Sequence, residues 1–178
     1  MITQGYQEVY RRFEAVREIG RDVVESAAAN RCAMVVSGAL RVRPGDGDLT
    51  FAQSPDLKPQ FRGQEFLKRY FLKARATAEA IRKAYGPPDL VLAKSQFEAL
   101  KGQPGGVVYL DNCWHTAREK VINYFINGTG AANIIPPAAA TGDHIDLWTG
   151  STLRIYADNP QAFRLVLQSE QAWYWRLS

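Results

Sequence analysis

Residues 30–40 read NRCAMVVSGAL, and the fold turns on what this run does. From Cys32 to Leu40 the side chains are small or apolar on every side of a helical wheel. A helix without a wet face belongs in the middle of a domain. Asn30 is a good N-cap residue, and a cap there puts Cys32 in the first helical turn. Cys32 is then either a small hydrophobe filling a core or a thiol held at a helix N-terminus. Taken alone, the first is commoner, because free cysteine is among the most buried residue types.

On the N-terminal side, Tyr6, Val9, Tyr10, Phe13, Val16, Ile19, Val23 and Val24 recur at helical spacing. This predicts an amphipathic helix over 4–28, interrupted near Gly20. On the other side, 41–63 is a Pro- and Gly-rich loop, of a length that often serves as a lid or a binding wall. Residues 64–84 predict a second amphipathic helix, stopped by Gly86, Pro87 and Pro88. A short helix is expected at 95–101 and a first strand at GVVYL, 106–110. Further strands are HIDLW (144–148), STLRIYA (151–157), AFRLVL (162–167) and AWYWRL (172–177), with Thr149-Gly150 as a two-residue hairpin turn. Residues 126–142 have the composition of a flexible segment, and a second cleft wall is expected there. Helices come first and strands later, with no repeat or linker. That order argues for a single α+β domain over 1–178.

The bulk numbers narrow the class. A chain of 178 residues can bury a real core, and 46% hydrophobic with 22% charged residues is ordinary for a globular protein. No apolar run approaches the ~20 residues of a membrane helix, so no membrane insertion is expected. The first residues show no apolar signal core, so synthesis in the cytoplasm without a signal peptide is expected. Export by another route stays open. Two cysteines, Cys32 and Cys113, cannot make a disulfide scaffold, and one bond between them would silence Cys32. A net charge of +4 suits an anionic partner without choosing one. The arginines and lysines are spread out as the wet faces of helices.

Alternation along HIDLW puts His144, Asp146 and Trp148 on one face of a strand and Ile145 and Leu147 on the other. The second set reads as core and the first as facing a cleft. A helix packed on this sheet with Cys32 at its start would bring the thiol toward His144. A free thiol is mostly protonated at neutral pH, and helix N-terminal N–H groups and a nearby imidazolium favour the thiolate. The thiolate can attack a carbonyl, and the imidazole can protonate the departing amine. N–H groups near Cys32 would form an oxyanion hole. A helix cysteine with a strand histidine far downstream is the papain-like order. Cys113 and His115 lie close together in DNCWHTAREK, but two ligands do not make a metal site. No metal and no cofactor are expected.

The local sequences resemble those of the type VI secretion amidase effectors, fourth family. NRCAMVVSGALRV is similar to that family's active-site helix, matching at Asn30, Cys32, Ala33, Ser37, Ala39 and Leu40. GDHIDLWTGS is similar to its strand and turn, matching at His144, Leu147, Trp148, Gly150 and Ser151. The strand GGVVYL before it, the later DNP and the closing WYWRL also look similar. The resemblance implies a papain-like cysteine amidase that cuts peptidoglycan stem peptides between D-glutamate and diaminopimelate. It implies Cys32 as nucleophile and His144 as general base. It also implies a toxin exported by a secretion apparatus into the periplasm of rival bacteria, and a cognate immunity protein that plugs the cleft.

Three features depart from the family pattern. Eleven residues past His144, where the family carries an aspartate, stands Ile155. The two-residue turn would place His144 opposite Ile155. Asp146 on the same face, or Asp158 if the register slips, would then orient the imidazole. Val35-Val36 replaces an Arg-Met pair, and 112–142 is longer than the family's segment. Two rival readings stay open. One is a papain-like transferase or protease with another acyl substrate. The other is a non-enzymatic basic binding domain for nucleic acid or protein, whereas the amidase reading expects no nucleic acid.

Overall fold

The computed structural model describes residues 2–25, 31–113, 142–154 and 167–178. Helix α1 spans Tyr6–Val23, α2 spans Cys32–Leu40 and α3 spans Ala74–Tyr85. Strands β1 (Leu90–Ala93), β2 (Gly106–Asp111), β3 (His144–Trp148) and β4 (Gln171–Arg176) form one sheet in the order β1-β4-β2-β3. Every neighbouring pair is antiparallel. β3, at one edge of the described sheet, pairs His144 with Leu110 and Asp146 with Val108 of β2. The α+β class expected from the sequence is the observed one.

α2 is the buried central helix that its composition dictates. All its residues but Gly38 are buried. It packs on α1 and on β3, and α3 closes the same side of the sheet. Val35, Val36 and Ala39 of α2 share one core with Phe13 of α1, Ala78 and Ile81 of α3, and Val107, Tyr109, Ile145, Leu147 and Trp175 of the sheet. The opposite sheet face carries Val108, Leu110, Trp148, Ala172 and Tyr174 against Phe97, Leu100 and Cys113. Sheet alternation thus feeds two cores.

Several expectations need correction. α1 runs straight through Gly20, because the missing Cβ makes room for a neighbour: a Cβ there would lie 3.2 Å from Arg31 Cδ. The helix stops at Val23, since Val24 turns extended and bridges to Leu57. The helix expected over 64–84 is two pieces, a 3₁₀ turn at Glu65–Arg69 and then α3. Between them the backbone pairs with the preceding loop instead: Phe51 N–H donates to Tyr70 O at 2.8 Å and Leu72 N–H to Leu49 O at 3.0 Å. That ladder lets Phe71 enter the main core and Tyr70 a third cluster with Val16, Met34, Phe51 and Leu57. α3 ends where expected, at Gly86 with φ 92°. The short helix at 95–101 is a 3₁₀ helix at Lys94–Leu100, and β1 was not foreseen.

The turn after β3 is longer than two residues. Thr149 N–H donates to Thr152 O at 2.9 Å and Trp148 bridges Leu153. The register that put His144 opposite Ile155 therefore does not hold at the turn. Ile155 itself lies outside the described residues, as do most of the strands expected at 151–157 and 162–167.

Gly38 sets how closely α2 approaches α1. A Cβ there would lie 2.8 Å from both Val16 Cγ2 and Tyr70 Cε1, in nearly buried surroundings. Gly38→Ala gains about 1 kcal/mol of helix propensity. It also overpacks a tight contact, which costs about 1–3 kcal/mol. We expect a net loss of about 1 kcal/mol in urea unfolding. An unchanged midpoint would show that Val16 and Tyr70 yield freely.

Candidate active site

Cys32 is the first residue of α2 and 2% exposed. Val35 N–H donates to the Arg31 carbonyl at 2.9 Å. The N–H groups of residues 32–34 precede it in the first turn, where an α-helix offers no intrahelical acceptor. They and the positive end of the helix face whatever reaches the thiol. Arg31 occupies the N-cap position in a helical conformation. Asn30, the expected cap, lies outside the described residues.

The tip of α2 meets the start of β3. His144 is the strand's first residue and is 2% exposed. Its imidazole interacts with both Cys32 and Asp146. His144 Nε2 stands 3.6 Å from Asp146 Oδ2, an ion-pair distance longer than a good hydrogen bond. The carboxylate therefore acts on the ring mainly through its charge. Asp146 is wholly buried, and its Oδ1 accepts the Leu147 N–H at 2.7 Å. One carboxylate oxygen is thus pinned to the backbone while the other faces the imidazole.

The electrostatics follow from this enclosure. Burial alone would disfavour the imidazolium. The negative charge of the Cys32 sulfur and the Asp146 carboxylate outweigh burial and push the His144 pKa up to about 10. Chemically, the arrangement holds a thiol, an imidazole beside it, a carboxylate behind the imidazole, and backbone donors near the sulfur, a set that is able to support nucleophilic acyl chemistry.

The structure thus brings together three of the four site residues expected from the sequence: Cys32, His144 and Asp146. Asp158 and His115 lie outside the described residues. Contrary to expectation, the face carrying His144, Asp146 and Trp148 does not line an open cleft. All five β3 residues are buried, and Trp148 joins the second core. Cys113 is a buried free thiol that burial pushes well above the usual thiol range, with the charge of Cys32 adding to the shift. Among the described residues no group of three or more His, Cys, Asp or Glu side chains is placed to hold a metal ion. No described helix is long and apolar enough to cross a membrane. Sequence reasoning passed over Arg31, although it adjoins Cys32, and over Arg154, which forms an ion pair with Glu14 at 2.9 Å.

Cysteine at a helix tip and histidine opening a strand are the papain-like arrangement. No protein-family model matches the chain, and no curated protein matches it. Solved structures do. The type VI effector Tae4 from Enterobacter cloacae superposes with a TM-score of 0.58 at 15% identity, covering 100% of both chains. The selenomethionine variant of the Tae4/Tai4 effector–immunity system from Salmonella typhimurium gives 0.55 at 14% identity, covering 98% of this chain and 99% of that one. The type VI effector–immunity complex Tae4–Tai4 from Enterobacter cloacae gives 0.52 at 14% identity, covering 99% and 100%. The chain has the fold of these effectors over its whole length.

The raised His144 pKa has a consequence for stability. A pKa above the unfolded value of about 6.5 means that the folded state binds the proton more tightly. That stability is complete below about pH 6.5 and is lost as pH rises toward about 10, the folded value. The advantage of wild type over His144→Gln in thermal unfolding should therefore shrink steadily from about pH 6 to about pH 10. A constant gap across that range would contradict the assigned ion pairing.

Proposed function

We propose that this chain is a single-domain papain-like cysteine amidase that hydrolyses an amide bond in peptidoglycan stem peptides. The observation that carries the reading is the meeting of Cys32 at the α2 tip with His144, backed by Asp146 two residues along the same strand. The likeness in fold to the Tae4 effectors supports it, as do the local sequence similarities around both residues. The bond proposed is the one between D-glutamate and diaminopimelate. The proposed setting is delivery by a type VI apparatus into the periplasm of a rival cell. A cognate immunity protein is the proposed partner, by analogy with the solved Tae4–Tai4 complexes.

In this mechanism the Cys32 sulfur attacks the scissile carbonyl carbon. Backbone N–H groups of the first α2 turn stabilise the oxyanion. His144 gives its proton to the departing amine, leaving a thioester on Cys32. Water then attacks the thioester carbonyl, His144 takes the water's proton, and the acid leaves as the thiolate is restored. Asp146 is a positioning residue: it acts through His144 and does not touch the substrate.

Digestion of purified Gram-negative peptidoglycan, with products read by mass, tests the reading. Wild type should release new amine and carboxyl ends within stem peptides, and Cys32→Ala should release none. The fragment masses name the bond. A folded wild type that cuts nothing would sink the proposal.

Asp146→Asn tests the positioning role separately. It should lower kcat/KM by about a hundredfold or more, as removal of an orienting carboxylate does elsewhere. Loss of the carboxylate charge also lowers the His144 pKa, so the alkaline limb of the pH–rate profile should move to lower pH. A slower variant with an unmoved limb would reduce Asp146 to a structural residue.

A further inference from the structure

His144 stands at a weak point of the sheet. It is the first residue of β3, an edge strand of the described sheet, and its strand neighbour is Leu110 of β2. Strand ends fray before strand middles, since an end residue has fewer tied neighbours. Continued by one and two residues, the β2–β3 register would set Asp111 against Asp143 and Asn112 against Gly142. The ladder instead stops, because β2 ends at Asp111 and Asn112 turns left-handed with φ 47°. Few residues other than glycine adopt that conformation, and asparagine does so more readily than most. The turn aims the Asn112 N–H at Asp143 Oδ1, to which it donates at 3.0 Å. A side-chain oxygen thus takes over from a backbone carbonyl in tying β2 to the chain that enters β3.

The same carboxylate is held from a second side. Asp143 alternates with His144, so it falls on the α3 face of the sheet with Tyr109 and Asp111. The Tyr109 hydroxyl hydrogen-bonds Asp143 and donates to Asp111 Oδ1 at 3.2 Å. Tyr109 is 1% exposed, and its ring packs on Trp173 at 5.2 Å between centres. Arg75 of α3 lies 3.5 Å from the Asp111 carboxylate. Asn112 is fixed in turn: its Nδ2 donates to Glu170 Oε1 at 2.8 Å, and the Glu170 N–H donates to the Asp111 carbonyl at 3.0 Å. Donors seated on β2 therefore grip a nearly buried carboxylate one residue from the imidazole.

We propose that Asp143 is a positioning residue: gripped by the Asn112 N–H and the Tyr109 hydroxyl, it fixes the start of β3 and so keeps the His144 imidazole between Cys32 and Asp146. The inference rests on the acyl-transfer reading and adds a positioning residue to it. Asp143 touches no substrate. It acts through the backbone it shares with His144, while Asp146 acts on the ring by charge.

NMR titration of the His144 ring tests this without substrate. The chain has two histidines, so a His115→Gln parent leaves one imidazole to follow. Its pKa in the parent should lie near about 10. A ring that drifts from Cys32 and Asp146 loses the charges that raise it. Asp143→Ala should therefore lower the value by about one unit or more, toward the ~6.5 of an unpaired histidine. Asp143→Asn removes the charge and keeps the grip, since its amide oxygen accepts the Asn112 N–H and its amide nitrogen donates to the Tyr109 hydroxyl. It should stay close to the parent. Tyr109→Phe takes away one of the two donors and should fall in between. On a soluble stem peptide, Asp143→Ala should lower kcat about tenfold or more with KM little changed. A titration unmoved in Asp143→Ala overturns the inference. So does an equal fall in Asp143→Asn, which would make the effect one of charge alone. Should Asp143→Ala fail to fold, an unmoved value in Tyr109→Phe overturns it and a lowered one supports it. Titrations as expected in a protein that cuts no peptidoglycan would keep the anchor and remove the amidase reading, and unmoved titrations in one that cuts would do the reverse.

Discussion

The contact between the tip of α2 and the start of β3 is what the rest of the structure depends on. It gathers a thiol, an imidazole and a carboxylate in a space nearly closed to water. Charges so enclosed are tolerable only when each has a partner. Asp146 takes the Leu147 N–H and faces His144, and His144 lies between Asp146 and Cys32. Removing any one of them leaves another buried charge unmatched. Low local polarisability also strengthens the attraction between those that remain.

Holding that contact is the work of both cores. On the helix side, Val35, Val36 and Ala39 of α2 pack against Ile145 and Leu147, the residues that alternate with His144 and Asp146 along β3. The same strand is gripped from its other face by Trp148 in the second core. A strand so clamped cannot slip by one residue without turning two apolar side chains out and two polar ones in. Gly38 sets the depth of α2 against α1, and Gly20 lets Arg31 lie flat where a side chain would have blocked it. Site geometry is in this sense a product of packing several residues away from the chemistry.

Much of this could be read in the sequence, for identifiable reasons. α2 was legible because nine successive small or apolar residues leave no wet face. The pairing of His144 with Asp146 on one strand face was legible because strand alternation is strict. The break in the helix expected over 64–84 was not, since Tyr70 and Phe71 fit helical spacing and only the ladder to Leu49 and Phe51 takes their backbone away. The interruption expected at Gly20 failed because a glycine in a helix can mark close approach as well as a break. β1 was hidden by its shortness, four residues with Val91 exposed.

The position of the carboxylate carries the last step. A histidine oriented from a neighbouring strand depends on the register between the two, and the turn that follows β3 spans Thr149 to Thr152. Asp146 stands on the strand that carries His144, about 7 Å further along the backbone. Their relation is therefore fixed by covalent geometry and pleat, whatever the next strand does. The cost is reach: at 3.6 Å the pair is held by charge more than by a well-made hydrogen bond. The Leu147 N–H offsets that by holding the carboxylate still. The imidazole thus has a fixed negative charge from its own strand, whatever side chain stands at position 155.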